Sequence, residues 1–153
     1  MMITTINFKE VLGHIGFEQL KGKDKDIWLK SYPTCELRVD FKNNLLIYPE
    51  DNGFIVNERQ TCNFGAPENF VVFECVDRLL YKGYKPEHIE LEPKWKLGHG
   101  ASGGRADILT KDNTGNALLI IECKTWGAEF DAEWKNMNIN GGQLFSYAQQ
   151  IKS

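Results

Sequence analysis

Apolar and polar residues alternate along the stretch CELRVDF in the first third of the chain. Leu37, Val39 and Phe41 occupy every second position, and the charged residues Arg38 and Asp40 lie between them. Alternate residues of a strand face the same way, so this pattern predicts a strand with one face in the core and one in solvent. Turn residues separate it from the apolar stretches on either side, which indicates a small antiparallel meander.

Apolar residues at helical spacing predict a helix that begins near Pro67 and ends at Gly83. Proline suits the first helical position, and Glu68 lies in the first turn, where the helix dipole favours an acid. The apolar positions cover a wide arc, so we expect the helix to be largely buried. These positions are Phe70, Val71, Val72, Phe73, Val76, Leu79 and Leu80.

The segment GRADILTKDNTGNALLIIECK has the pattern of a β-hairpin. ADILT and ALLIIECK are the arms, and the Asp, Asn and Gly residues between them favour a turn. The unbroken apolar run from Leu118 to Ile121 predicts that the second arm is buried on both faces. Before the hairpin, HIELEPKWKLG reads as a strand interrupted at Pro93.

The chain has 153 residues, 42% hydrophobic and 25% charged, as in an ordinary globular domain. A formal net charge of −3 excludes a protein that binds nucleic acid through a strongly basic overall charge. No apolar run approaches the roughly 20 residues that cross a bilayer, and the N terminus lacks the apolar core of a signal peptide. We therefore expect a cytoplasmic protein whose four cysteines are reduced thiols.

The two arms of the hairpin carry charged residues where buried strands should end. Asp107 lies on the first arm and Glu122 on the second, so the fold of the hairpin brings two carboxylates towards one hard cation such as Mg²⁺. Glu122 and Lys124 should point together, with Cys123 directed into the opposite layer and its backbone carbonyl available to the metal. The alternative is a structural ion pair between Glu122 and Lys124.

GRAD followed by IIECK resembles the PD-(D/E)XK nuclease superfamily, with Ala106 in place of the usual proline. PENFVVFE is similar to the acidic first helix of that fold. QLFSY matches the Gln-x-x-x-Tyr motif of RecB-like nucleases and type I restriction subunits. These motifs occur in the order of the family and span residues 67 to 150. The closest resemblance is to the N-terminal nuclease domain of type I restriction enzyme R subunits and related restriction–modification proteins.

The resemblance implies an α/β restriction-endonuclease-like core, with a mixed central sheet flanked by helices. We expect this core to span residues 61–153 and a small β-rich extension, residues 1–60, to pack on it as part of a single compact domain. The implied function is Mg²⁺-dependent hydrolysis of phosphodiester bonds in DNA, with Mn²⁺ able to substitute. Implied partners are the helicase or translocase, methyltransferase or specificity units of a restriction system.

The resemblance also assigns roles to individual residues. Asp107 and Glu122 would be metal ligands together with the Cys123 carbonyl, and Lys124 would orient or activate the attacking water. Glu68 would be the acidic residue of the first helix, which reaches the metal directly or through water.

Four further residues complete the predicted site. Gln143 and Tyr147 would organise the active site or hold the DNA backbone, as the resemblance implies. Arg105 and Lys96 are basic residues close enough in sequence to contact phosphates.

Several alternatives stay open at the level of sequence. Glu74 rivals Glu68 for the role on the first helix, and Glu68 can also be read as a residue that only complements the helix dipole. At the level of function, the alternatives are a catalytically silent DNA-binding or assembly module and a nuclease that acts on RNA or branched DNA.

Overall fold

The computed structural model describes residues 5–95 and 104–124. Within these ranges the fold is mixed α/β, with two helices, two sheets of four strands and one pair of short strands. None of the helices described is long and apolar enough to cross a bilayer. The helices are α1 (Phe8–His14) and α2 (Pro67–Tyr81). The strands are β1 (Glu18–Gln19), β2 (Ile27–Ser31), β3 (Glu36–Asp40), β4 (Leu45–Ile47), β5 (Ile55–Val56), β6 (Ile89–Leu91), β7 (Lys94–Trp95), β8 (Gly104–Arg105), β9 (Ile108–Lys111) and β10 (Ala117–Ile121).

The first sheet is the predicted antiparallel meander, in the order β1-β2-β3-β4. Leu37 and Val39 of β3 are fully buried, whereas the residues between them are partly exposed, so the alternation is confirmed. The turn after β3 forms because the Asp40 carboxylate accepts the backbone N–H groups of Lys42 at 2.9 Å and Asn43 at 3.1 Å.

The second sheet has the order β10-β9-β6-β5, and its β9–β10 pair is the predicted hairpin. The Asp112 carboxylate shapes the hairpin turn by accepting the backbone N–H groups of Thr114 at 2.9 Å and Asn116 at 3.0 Å. Strand β6 is antiparallel to β9 and parallel to β5. The predicted interruption at Pro93 is confirmed, because β6 ends before it and β7 pairs separately with β8.

Helix α2 begins at Pro67 as predicted, and its apolar face is buried. Phe73 and Val76 have no exposed surface. They belong to one hydrophobic cluster that also includes Val39 of the first sheet and Ile108 of the second. The helix therefore packs on residues from both sheets, and this packing fixes where its first turn lies.

The prediction that β10 is buried on both faces is wrong. Leu118 is 59% exposed and Leu119 is 40% exposed, and only the end of the strand, at Ile121, packs against the core. In the part of the chain described, β10 is the edge strand of its sheet and pairs with β9 alone. Burial of a strand depends on the layers that cover its two faces, and an apolar run in the sequence does not reveal whether those layers extend to the edge strand.

A buried ion pair joins the first sheet to α2. The Lys30 ammonium of β2 lies 2.6 Å from the Asp77 carboxylate and also donates to the carbonyl of Ile15 at 2.6 Å. Tyr32 donates its hydroxyl proton to the same Asp77 oxygen at 2.6 Å. Burial raises the pKa of Tyr32, and the bond to Asp77 acts in the same direction, so the phenol stays neutral. These contacts fix the position of α2 against the meander.

A candidate site at the ends of three strands

Three acidic residues lie at one end of the second sheet. Glu92 follows β6, Asp107 precedes β9 and Glu122 follows β10, and these three strands are neighbours. The backbones stay paired beyond the strands, because the Glu92 N–H donates to the Asp107 carbonyl at 2.9 Å. The Asp107 N–H donates to the carbonyl of Ile121 at 3.2 Å. The predicted approach of Asp107 to the end of the second arm is therefore present.

The Asp107 carboxylate is bonded into the backbone of the facing arm. Its Oδ2 accepts the N–H of Cys123 at 2.6 Å. The pKa of Asp107 is raised to about 6, chiefly by burial. The negative charges of Glu68 and Glu92 act in the same direction, whereas the Cys123 N–H and the Lys124 ammonium favour the charged carboxylate. Four charged or polar partners thus converge on one acid.

Glu122 and Lys124 point to the same side, as the strand pattern predicted. The Lys124 Nζ lies 3.5 Å from the Glu122 Oε1, and both side chains are mostly buried. Cys123, between them, is 5% exposed and belongs to the hydrophobic core. The ion pair read from the sequence as an alternative is present, and it lies beside the carboxylate of Asp107. A mostly buried pair costs desolvation, so its gain in stability alone is a weak reason for its presence.

The two acidic residues of α2 that competed for one role lie in different surroundings. Glu68 occupies the first turn, and its charge acts on Asp107. Glu74 forms an ion pair with Arg78 one turn further along, with 2.7 Å between the Arg78 Nε and the Glu74 Oε1. Of the two, Glu68 is the one whose charge raises the pKa of Asp107.

Glu92 was not singled out from the sequence. It adopts a left-handed backbone conformation, with a φ of +49°, which is unfavourable for a residue with a side chain. The available signal was an acid placed between a strand and Pro93, the same kind of position at a strand end that Asp107 and Glu122 occupy.

Two cysteines near the strand ends influence each other. Interaction with the Cys123 thiol lowers the pKa of Cys75 on α2, and interaction with Cys75, followed by burial, raises the pKa of Cys123. All four cysteines of the chain are free.

The donor set fits a hard cation that keeps much of its water. Across the side chains that the structure describes, no three Asp, Glu, His or Cys residues are gathered closely enough to hold a metal ion. Mg²⁺ is usually bound by one or two carboxylates and retains several waters, so it does not need such a cluster. Asp107, Glu122 and the Cys123 carbonyl are oxygen donors of the right kind. A cation would also offset the repulsion from Glu68 and Glu92, which adds to the effect of burial on the pKa of Asp107.

The remaining predicted residues fall outside what the structure describes. Lys96, Gln143 and Tyr147 lie outside the described residues, and Arg105 is described only as part of the backbone of β8. Two surface cavities of about 420 and 510 Å³ lie elsewhere, one beside the hairpin turn and one beside the Lys30–Asp77 pair. Neither is lined by the strand-end acids. Comparison of the chain with protein families, curated proteins and solved structures gave no match.

Proposed function

We propose that this chain is a Mg²⁺-dependent DNA endonuclease module of a restriction system, built on a restriction-endonuclease-like core. One observation carries the proposal. The hairpin sets Asp107 against the end of the arm that carries Glu122 and Lys124, and the charge of Glu68 on α2 acts on the same carboxylate. These residues belong to motifs that were widely separated in the sequence, and their order along the chain matches the PD-(D/E)XK resemblance.

Each residue has a role that its surroundings support. Asp107, Glu122 and the Cys123 carbonyl would hold Mg²⁺, which when bound supplies positive charge to the phosphate and acidifies a water molecule. Lys124 is held within 3.5 Å of Glu122, where its ammonium can orient the attacking water and stabilise negative charge on the phosphate. Glu68, in the first turn of α2, would reach the metal directly or through water.

The raised pKa of Asp107 gives the proposal a pH dependence. Below pH 6 the metal-free carboxyl is mostly protonated and is a poor ligand, because ligands must lose their proton before they bind a cation. Cleavage should therefore rise steeply with pH through about 6 and should do so less steeply at high Mg²⁺, since the cation competes with the proton.

The test compares metal binding with cleavage in matched variants. Mn²⁺ or Mg²⁺ should raise the thermal midpoint of the wild-type protein, because a ligand specific to the native state stabilises it. Asp107→Ala should lose both this shift and the cleavage of plasmid DNA. Lys124→Ala should keep the shift and lose cleavage. The matched control is Lys111→Ala, at the other end of β9, where the lysine forms an ion pair with Glu90 at 2.8 Å.

The outcomes separate this function from its competitors. Metal binding without cleavage of DNA or RNA by the wild type would favour a catalytically silent DNA-binding or assembly module. Cleavage of RNA or branched DNA, with plasmid DNA left intact, would keep the site and change the substrate. Normal cleavage by Lys124→Ala would show that the Glu122–Lys124 arm is only a structural ion pair. If a translocase or specificity partner delivers the substrate, adding that partner should increase the rate of DNA cleavage.

A further inference from the structure

The C-terminal end of α2 lies between the two surface cavities of about 420 and 510 Å³, and Lys82 lines both of them. Tyr81, the last residue of the helix, lines the larger cavity, and Lys85 lines the smaller one. All three residues are exposed, and we call them the helix-end surface. The strand-end acids line neither cavity, so this surface is separate from the proposed nuclease site.

The helix-end surface carries positive charge that no neighbouring acid neutralises. The other lysines and the arginine that line the cavities are each held in an ion pair: Lys30–Asp77, Arg78–Glu74 and Lys111–Glu90. Among the described residues, Lys82 and Lys85 form no ion pair. The helix dipole favours a cation at Lys82, but its effect fades beyond the last turn and does not account for Lys85. An anion at this surface therefore meets two ammonium groups that are not already engaged.

Tyr81 adds an aromatic ring to the same surface and is 78% exposed. The Lys30 ammonium lies over this ring, 5.3 Å from its centroid. That ammonium is itself fixed, because it donates to the Asp77 carboxylate and to the carbonyl of Ile15, each at 2.6 Å. A cation–π contact with a fixed ammonium holds the ring in place, and most of the ring stays open to solvent. Tyr81 is therefore a positioned stacking surface beside two lysines.

We propose that the helix-end surface binds single-stranded nucleic acid, with a base stacked on Tyr81 and neighbouring phosphates at Lys82 and Lys85. An exposed aromatic ring combined with cations is the arrangement that binds single strands without sequence preference. A duplex keeps its bases in its own stack and offers Tyr81 no base. An acidic peptide would use the two lysines and leave the ring without a role. The inference goes beyond the proposed function, because it concerns binding and does not depend on cleavage.

Fluorescence anisotropy of a labelled oligothymidylate of about ten nucleotides tests the proposal on the whole chain. The buffer contains EDTA, so that metal-dependent cleavage does not consume the probe. Tyr81→Ala should weaken binding of the single strand about fivefold or more and leave binding of a duplex of the same length unchanged. Tyr81→Phe keeps the ring and should bind as wild type does. Lys82→Gln should lower the steepness of the log-log salt dependence by about 0.7, the effect of one phosphate contact, whereas Lys82→Arg should retain it.

The matched control is Lys23→Gln, which removes one charge from an exposed lysine that lines neither cavity. It should bind as wild type does, and equal thermal midpoints would confirm that the variants are folded. Equal weakening by Lys23→Gln and Lys82→Gln would show that net charge alone is responsible and would overturn the proposal. Binding that Tyr81→Ala leaves unchanged would also overturn it, as would displacement of the oligonucleotide by polyglutamate at matched charge. Binding through Tyr81 by a chain that cleaves no DNA would support this inference and count against the nuclease function.

Discussion

The Oδ2 atom of Asp107 accepts the backbone N–H of Cys123 at 2.6 Å, so a side chain from one arm of the hairpin completes the hydrogen bonding of the other. A carboxylate in this position is held by the backbone and needs no separate support to stay at the strand end. Because Cys123 lies between Glu122 and Lys124 in the chain, this hydrogen bond also keeps the carboxylate close to both residues.

Asp107 should make the protein less stable at neutral pH than an uncharged residue would. Its pKa is about 6 when folded, above the value near 3.8 of an ordinary aspartate, so the folded state binds the proton more tightly. The stability that Asp107 contributes is therefore fully present below pH 4 and is lost as the pH rises through 6. The free energy of unfolding should fall by up to about 3 kcal/mol over this range. In EDTA, Asp107→Asn should therefore have a higher unfolding free energy than wild type at pH 7, with the difference gone by pH 4.

Urea denaturation at a series of pH values measures this difference. The control is Asp112→Asn in the hairpin turn, where hydrogen bonds to Thr114 and Asn116 lower the pKa of the aspartate. Asp112→Asn should not have a higher free energy of unfolding than wild type at pH 7. A difference between Asp107→Asn and wild type that stays constant from pH 4 to pH 7 would mean that Asp107 is not destabilised by its charge.

Neutralising Glu68 should lower the pKa of Asp107, because removal of a nearby negative charge favours the ionised carboxylate. Glu92→Gln should act in the same direction for the same reason. Glu74→Gln is the matched control on α2, since that side chain is paired with Arg78. Titration of the Asp107 carboxyl by carbon NMR reads the effect directly. An unchanged titration in Glu68→Gln would place this acid away from the site.

Asp77→Ala should be strongly destabilising, because it leaves the Lys30 ammonium buried without its carboxylate. Loss of one partner of a buried ion pair typically costs about 3–5 kcal/mol. Glu74→Ala breaks an i,i+4 pair whose Arg78 side chain is largely exposed, and it should cost less, about 0.3–0.5 kcal/mol. Chemical denaturation of both variants tests the contrast. The double variant Asp77→Ala, Lys30→Met should recover part of the loss, and no recovery would show that the charge of Lys30 is not the cause.

Binding to duplex DNA should be weak and only moderately sensitive to salt. The formal net charge is −3, and the basic residues close in sequence to the proposed site residues are Lys94, Lys96, Arg105 and Lys124. About four phosphate contacts give a slope near −3.6 in a plot of log binding constant against log salt concentration. Fluorescence anisotropy over a salt series measures the slope. Tight, sequence-selective binding by this chain alone would show that it carries its own recognition element.

The sequence predicted those elements whose patterns are local. The alternation in β3, the turn residues of the hairpin and the start of α2 at Pro67 each depend on neighbouring residues, and each is confirmed. The pairing of β5 with β6 escaped notice because a strand of two residues, Ile55 and Val56, is too short to show a period.

Features that depend on distant residues could not be read in the same way. The Lys30–Asp77 pair joins residues far apart in the chain, and no spacing rule connects them. The exposure of Leu118 depends on which strand lies beside β10, which the hairpin alone does not determine. Asp107, Glu122 and Lys124 were singled out because an ordered set of motifs contains them, whereas Glu92 belongs to no such motif.

The hydrophobic cluster has a consequence for how such a chain can be cut or recombined. It draws Leu37 and Val39 from the meander, Phe73 from α2 and Ile108 from the hairpin into one set of mutual contacts. Removal of the first sixty residues would take Leu37 and Val39 away from Phe73. It would also remove Lys30, the ion-pair partner of Asp77. The first sixty residues therefore belong to the same hydrophobic core as the hairpin and α2, so a graft of the hairpin and α2 onto a foreign N-terminal segment should expose apolar residues such as Phe73 and aggregate.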